Sequence, residues 1–129
     1  MNMSIMYTYV IGSDKAVELY QKAFNATLIE SVPNEVGTFF HALLDIEGAK
    51  IGVAERNNSF GIEGDTTTGN TMQFSFCYGE GEGNEDKIMK AYEVLKEGAT
   101  VLIPPQSFDH TPLCIDLIDK FGVRWNMFI

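Results

Sequence analysis

The 129 residues carry a formal net charge of −9 and 45% hydrophobic residues, the size and apolar content of one ordinary domain with its own core. The acidic excess runs through both halves without a basic patch that could neutralise phosphates, so nucleic acid is not an expected partner. No apolar run approaches the roughly 20 residues of a membrane span, and Met1 to Met6 lack the basic start of a secretory signal, so the chain is expected in the cytoplasm and off the membrane.

Residues 5–11, rich in β-branched and aromatic side chains, read as a strand. Ser13 or Asp14 then caps a helix over about residues 15–24, with Ala16, Tyr20, Ala23 and Phe24 at helical spacing. Asn25 suits a left-handed exit. Strands are expected at 27–32, 38–46 and 49–55, separated by turns at 33–37 and 47–48. Residues 56–70 are rich in Asn, Ser, Gly and Thr without an apolar period, the composition of a surface loop. The order then repeats. Residues 71–78 read as a strand, and Asn84 caps a helix to about residue 97. Ile88, Tyr92 and Leu95 share one face of that helix, and Gly98 closes it. Strands at 100–103, 112–118 and 123–128 complete the chain.

The halves also align residue by residue. Asn25-Ala26-Thr27-Leu28 matches Gly98-Ala99-Thr100-Val101 at an offset of 73, and His41-Ala42-Leu43-Leu44 falls on Cys114-Ile115-Asp116-Leu117 at the same offset. One residue later, Gly48-Ala49-Lys50-Ile51 falls on Gly122-Val123-Arg124-Trp125. Agreement in element order as well as in sequence predicts an α+β domain of two βαβββ modules. Residues 1–129 then form one domain, with modules at 1–56 and 71–129 and a linker at 57–70.

Side chains alternate across a strand, so the repeat assigns faces. Phe40, Ala42 and Leu44, with Leu113, Ile115 and Leu117, belong under the helices. Met72, Phe74 and Phe76 join them, as do Trp125 and Met127 with Ile51 and Val53. The opposite parity carries His41 and Leu43 in one module, and Gln73, Ser75, Cys77, Cys114, Asp116, Arg124 and Asn126 in the other. A sheet face that mixes such polar groups with aromatics suits the wall of a pocket. Cys77 and Cys114 lie in apolar runs and read as reduced, buried thiols. His110, beside Asp109 in a turn, reads as exposed, and Tyr7 and Trp125 read as packing residues. Glu80, Glu82 and Glu85 read as solvated carboxylates at a helix start, which would repel a phosphate from residues 79–83.

Three segments carry a family resemblance. Ala16-Val17-Glu18-Leu19-Tyr20 with Ala23-Phe24 is similar to the first helix of PhnB-like proteins, a branch of the vicinal oxygen chelate (glyoxalase/bleomycin resistance) superfamily. Phe40-His41-Ala42-Leu43-Leu44 resembles the branch's "HA-L" strand, and Asp119-Lys120-Phe121-Gly122-Val123-Arg124-Trp125 its closing hairpin. The resemblance implies a glyoxalase-like fold whose two modules pair into a half-barrel cleft, and a homodimer. It also implies a comparison of ligand sets. Metal-dependent members place His, Gln or Glu in the first and last strand of each module. This chain offers Ile5, Met6 or Tyr7, then Gly52 or Ala54, then Met72 or Gln73, and finally Asn126. Glu55 enters only on a one-residue shift. One or two amide oxygens do not hold a divalent ion. The expectation is a small-molecule-binding protein with no metal and no cofactor, its ligand held by His41, Gln73, Ser75, Cys114, Arg124 and Asn126. A metal-dependent lyase, isomerase or dioxygenase is the alternative. A Cys114–His41 pair is conceivable in that setting, and no residue is assigned to catalysis.

Overall fold

A computed structural model describes residues 5–56 and 72–129; the expected linker at 57–70 and the start of the strand at Thr71 lie outside them. The chain divides into two compact units, Met1–Thr66 and Thr67–Ile129.

In the first unit, β1 (Met6–Val10), α1 (Ser13–Phe24), β2 (Thr27–Pro33), β3 (Phe39–Ile46) and β4 (Ala49–Glu55) follow in order. The second repeats the plan with β5 (Phe74–Cys77), α2 (Asn84–Leu95), β6 (Thr100–Phe108), β7 (Thr111–Ile118) and β8 (Arg124–Phe128). Each unit forms a four-stranded sheet, ordered β1-β4-β3-β2 and β5-β8-β7-β6. The first strand of each runs parallel to the last, and the remaining neighbours are antiparallel. The predicted α+β fold of two βαβββ modules is the observed one. Its internal repeat holds down to single pairs. Leu44 faces Ile51 as Leu117 faces Trp125, and Ala42 faces Val53 as Ile115 faces Met127.

These pairs are the cores. Ala42, Leu44, Val53, Ile115, Leu117, Trp125 and Met127 are fully excluded from solvent, and Ala16, Tyr20, Ile88 and Leu95 are the matching helix positions. Trp125 packs between Phe74 and Phe76, with ring centroids 5.1 and 5.7 Å away. Burial of these side chains stabilises by about 1.5–3 kcal/mol each, far more than any surface contact.

Several local expectations are corrected. Neither Ser13 nor Asp14 caps α1, and Asn84 does not cap α2. Gly12 and Gly83 take the cap positions with left-handed backbone (φ 86° and 83°). The N-terminus of α1 is instead served from β4: Glu55 accepts from the Gly12 and Ser13 amides at 2.9 and 3.1 Å and from the Ser13 hydroxyl. Asn84 donates back to the Tyr78 and Gly79 carbonyls. Asn25 does take the left-handed exit, at φ 52°. β6 runs on past residue 103 through Pro104 and Pro105, with irregular register, because an edge strand tolerates missing donors. Phe40 and Met72 are 57% and 72% exposed, not beneath the helices. Phe40 precedes the first β3–β4 pair, Ala42 with Val53, so it has a strand, β2, on one side only, and Met72 precedes the first β5–β8 pair.

Candidate functional site

The face of the second sheet turned away from Trp125 and Met127 is set by register. Ser75 and Asp116 both pair with Asn126, and Cys77 and Cys114 both pair with Phe128. Arg124 and Gln73 lie on the same parity one row further. Five of the six expected ligand-binding residues, Gln73, Ser75, Cys114, Arg124 and Asn126, therefore share one face. His41 belongs to the first unit.

The five are joined through Asp116 and Asn126. Arg124 donates to Asp116 from Nε at 3.0 Å and from Nη2 at 2.6 Å, a two-point ion pair, and Gln73 Nε2 donates to the same carboxylate at 3.4 Å. Asp116 is buried, so this pairing is what allows its charge to stay there. The hydrogen bond to Asp116 holds Arg124 above the ordinary guanidinium pKa, against the effect of burial. Arg124 is thus committed to Asp116. The Asn126 amide accepts from Ser75 Oγ at 2.9 Å and donates to the Ile115 carbonyl at 3.0 Å and to Cys114 Sγ at 3.4 Å. Among the described residues every buried side-chain nitrogen and oxygen has a partner. Such a face is pre-organised, and a ligand meeting it need not order it first. Cys114 is buried as expected, but Cys77 is exposed, because β5 is an edge strand and Cys77 points away from α2.

The first sheet has its own polar line. Tyr7, read from sequence as packing, is 40% exposed, on the face away from α1. Its ring lies over Gly52: a β-carbon there would stand 2.8 Å from Tyr7 Cζ, with Cδ1 and Cε1 closer still. The phenol crosses β4 and its hydroxyl reaches His41 Nδ1 on β3 at 2.8 Å. His41 Nε2 faces Glu30 on β2, with 3.7 Å to Oε1. Glu30 reaches this face only because β2 is irregular between Leu28, opposite Leu44, and Glu30, opposite Leu43. That bulge reverses the parity a regular strand would give it.

An open depression of about 450 Å³ at the start of α2 is lined by Glu80, Glu85 and Asp86 beside Pro112 and Ile129. Its carboxylates match the solvated helix start read from the sequence, and it holds none of the expected binding residues. His110 is exposed at the β6–β7 turn and stacks on Phe108.

No protein-family model and no curated protein matches the chain. Solved structures do match. A PhnB protein from Bacillus cereus superposes with a TM-score of 0.77 at 19% identity, over 98% of each chain. A gene product from Arabidopsis thaliana gives 0.65 at 18% identity, over 100% of this chain and 99% of that one. A mutant of the fosfomycin resistance protein FosX from Listeria monocytogenes gives 0.67 at 16% identity, over 98% of this chain and 88% of that one. The chain has the vicinal oxygen chelate fold. The FosX structure is a complex with Mn(II) and a dihydroxypropylphosphonic acid.

The vicinal oxygen chelate fold raises the question of a metal, and the donors among the described residues do not fit one. Gly52 has no side chain and is covered by Tyr7, and Ala54 is apolar and buried. Glu55 is taken up by the N-terminus of α1. Asn126 is bonded on both sides of its amide, and Gln73 is turned to Asp116. Among the described residues no three of His, Cys, Asp and Glu gather as a ligand set.

Proposed function

We propose that this protein binds a small, partly apolar molecule without a metal ion, using the module faces turned away from the helices. The ligand is held by Gln73, Ser75, Cys114, Arg124 and Asn126 in the second module and by His41 in the first. Modules at 1–56 and 71–129, joined by 57–70, are the units of this reading. The observation that carries it is the network on the second sheet, where five polar residues share one face and are fixed in place by Asp116 and Asn126. The commitment of Glu55 to α1 and of Tyr7 to the space above Gly52 supports the absence of a metal role. Within the set, Arg124 acts through its fixed pair with Asp116 as an oriented dipole more than as a free cation.

Thermal-shift screening against a metabolite and antibiotic panel tests the binding, since a ligand that binds only the folded state stabilises it by mass action. Metal analysis of protein purified without chelator tests the other half. One equivalent of divalent ion bound through side chains would overturn the metal-free reading and favour a lyase, isomerase or dioxygenase. The Mn(II) complex of FosX is the observation that favours that second reading.

The protein also pairs with a second copy of itself. Support comes from β1, an edge strand that exposes Tyr9 and is followed by the exposed Ile11. Light scattering at the mass of a single chain at micromolar concentration would remove this part.

A further inference from the structure

We infer that Glu30, His41 and Tyr7 form a proton relay that takes up small weak oxygen acids, such as phenols and enols, and holds them as anions. The inference deepens the small-molecule reading by naming a ligand class, and it rests on the first module alone.

Each of the four strands contributes one residue to the line. Gly52 on β4 supplies the empty space, Tyr7 on β1 lies across it, His41 on β3 receives the phenol hydroxyl, and Glu30 on β2 stands behind the imidazole. Glu30 beside Nε2 favours the tautomer with its proton on that nitrogen, which leaves Nδ1 as acceptor for the Tyr7 hydroxyl. In that state the O–H of Tyr7 is spent on His41, and its oxygen lone pairs are left to meet an incoming donor.

A ligand hydroxyl that approaches Tyr7 Oη has a complete path for its proton. The ligand O–H bond breaks and a new O–H forms on Tyr7. The proton Tyr7 already held passes to His41 Nδ1. The products are a ligand oxyanion accepting from Tyr7 O–H and an imidazolium beside the Glu30 carboxylate. No other reactant is needed. Tyr7 makes the contact with the ligand and His41 Nδ1 receives the proton, so the pair divides the work between contact and storage. Tyr9 on β1, Ala54 on β4 and Val32, directly opposite His41 on β2, surround the relay. Glu30 is the charged group facing His41 among them, and Asp45 on the same strand is paired with Lys50. An anion with an aromatic or apolar body fits that setting, and a multiply charged one does not.

Para-nitrophenol is the probe, because its anion alone absorbs in the visible. It is mixed with the whole chain at a pH where the free compound is mostly neutral. The expected result is a saturable nitrophenolate band that disappears in Tyr7→Phe and in His41→Gln, with binding weakened about tenfold or more by loss of a hydrogen bond to a charged group. On the unaltered protein, para-nitroanisole, which has no proton to give, should bind at least tenfold more weakly. A band that survives both substitutions overturns the relay. Binding seen as shifts of the Tyr7 and His41 ring resonances without the band also overturns it, and leaves the small-molecule reading intact. If para-nitrophenol shifts neither residue, the relay is overturned, and panel ligands mapped onto Gln73 and Ser75 decide the broader reading separately.

Discussion

The ring of Tyr7 fills the space that a β-carbon would need at Gly52, and this close approach delivers its hydroxyl to His41. A single methyl group should therefore evict the ring. Gly52→Ala is expected to swing Tyr7 into solvent and to cost the Tyr7–His41 bond, about 0.5–1.5 kcal/mol. The loss of Overhauser contacts between the two rings, with a matching drop in urea stability, checks this. Retained contacts in the variant would show that the ring is not held by the missing side chain.

Asp119 holds the hairpin between β7 and β8 from inside. One carboxylate oxygen accepts from the Phe121 and Val123 amides, and the other from Trp125 Nε1 at 2.9 Å. Asp119 and Trp125 are both buried. Asp119→Ala strands the indole N–H and two turn amides, and should cost about 2–4 kcal/mol. Chemical denaturation followed by Trp125 fluorescence measures it, and a loss below about 0.5 kcal/mol would contradict this role.

On the second sheet the two amides separate binding from stability. Gln73 is exposed and makes one long bond, so Gln73→Leu should leave stability within about 0.5 kcal/mol while weakening a panel ligand. Asn126→Leu removes three bonds at once and should cost about 1–2 kcal/mol as well as binding. Equal affinity in Gln73→Leu and the parent chain would take Gln73 out of the site.

Asp45 gives the β3–β4 turn a pH dependence. Its carboxylate accepts from the Gly48 amide at 2.8 Å and pairs with Lys50, and the amide bond is the main reason its pKa lies below the ordinary 3.8. A lowered folded-state value means the stabilisation is complete above 3.8 and is lost as pH falls through the folded value. Asp45→Asn should therefore be less stable than the parent at neutral pH, with the gap closing in acid. Thermal melts of both proteins across that range test the sign, and a gap that widens in acid would refute it.

The repeat, the two modules and most of the buried set were legible in the sequence, because period and parity are fixed by burial. Ala42 and Leu44 in one sheet, and Ile115, Leu117 and Trp125 in the other, had to take the helix face of their own sheet once the strands were placed, and in the second sheet that placed Ser75 and Asn126 together on the opposite face. The closing segment from Asp119 to Trp125, which carried the family resemblance, proves to be a structural lock in this chain.

What sequence could not decide was everything set by where a strand ends, slips or is crossed. Phe40 and Met72 follow the apolar parity, yet Phe40 lies beyond the last β3–β4 pair and Met72 beyond the last β5–β8 pair, and both stay exposed. Glu55 lies on the strand that offered a metal ligand, but the positive end of α1 claims its charge. Alternation could have put Tyr7 on the face of His41. Nothing local announces that a glycine on the strand next to His41 leaves room for its ring, or that a bulge turns Glu30 to the same side. Alternation is a property of one strand and can be read along it. The Tyr7–His41–Glu30 line depends on register between four strands, which only the pairing of residues distant in the chain determines.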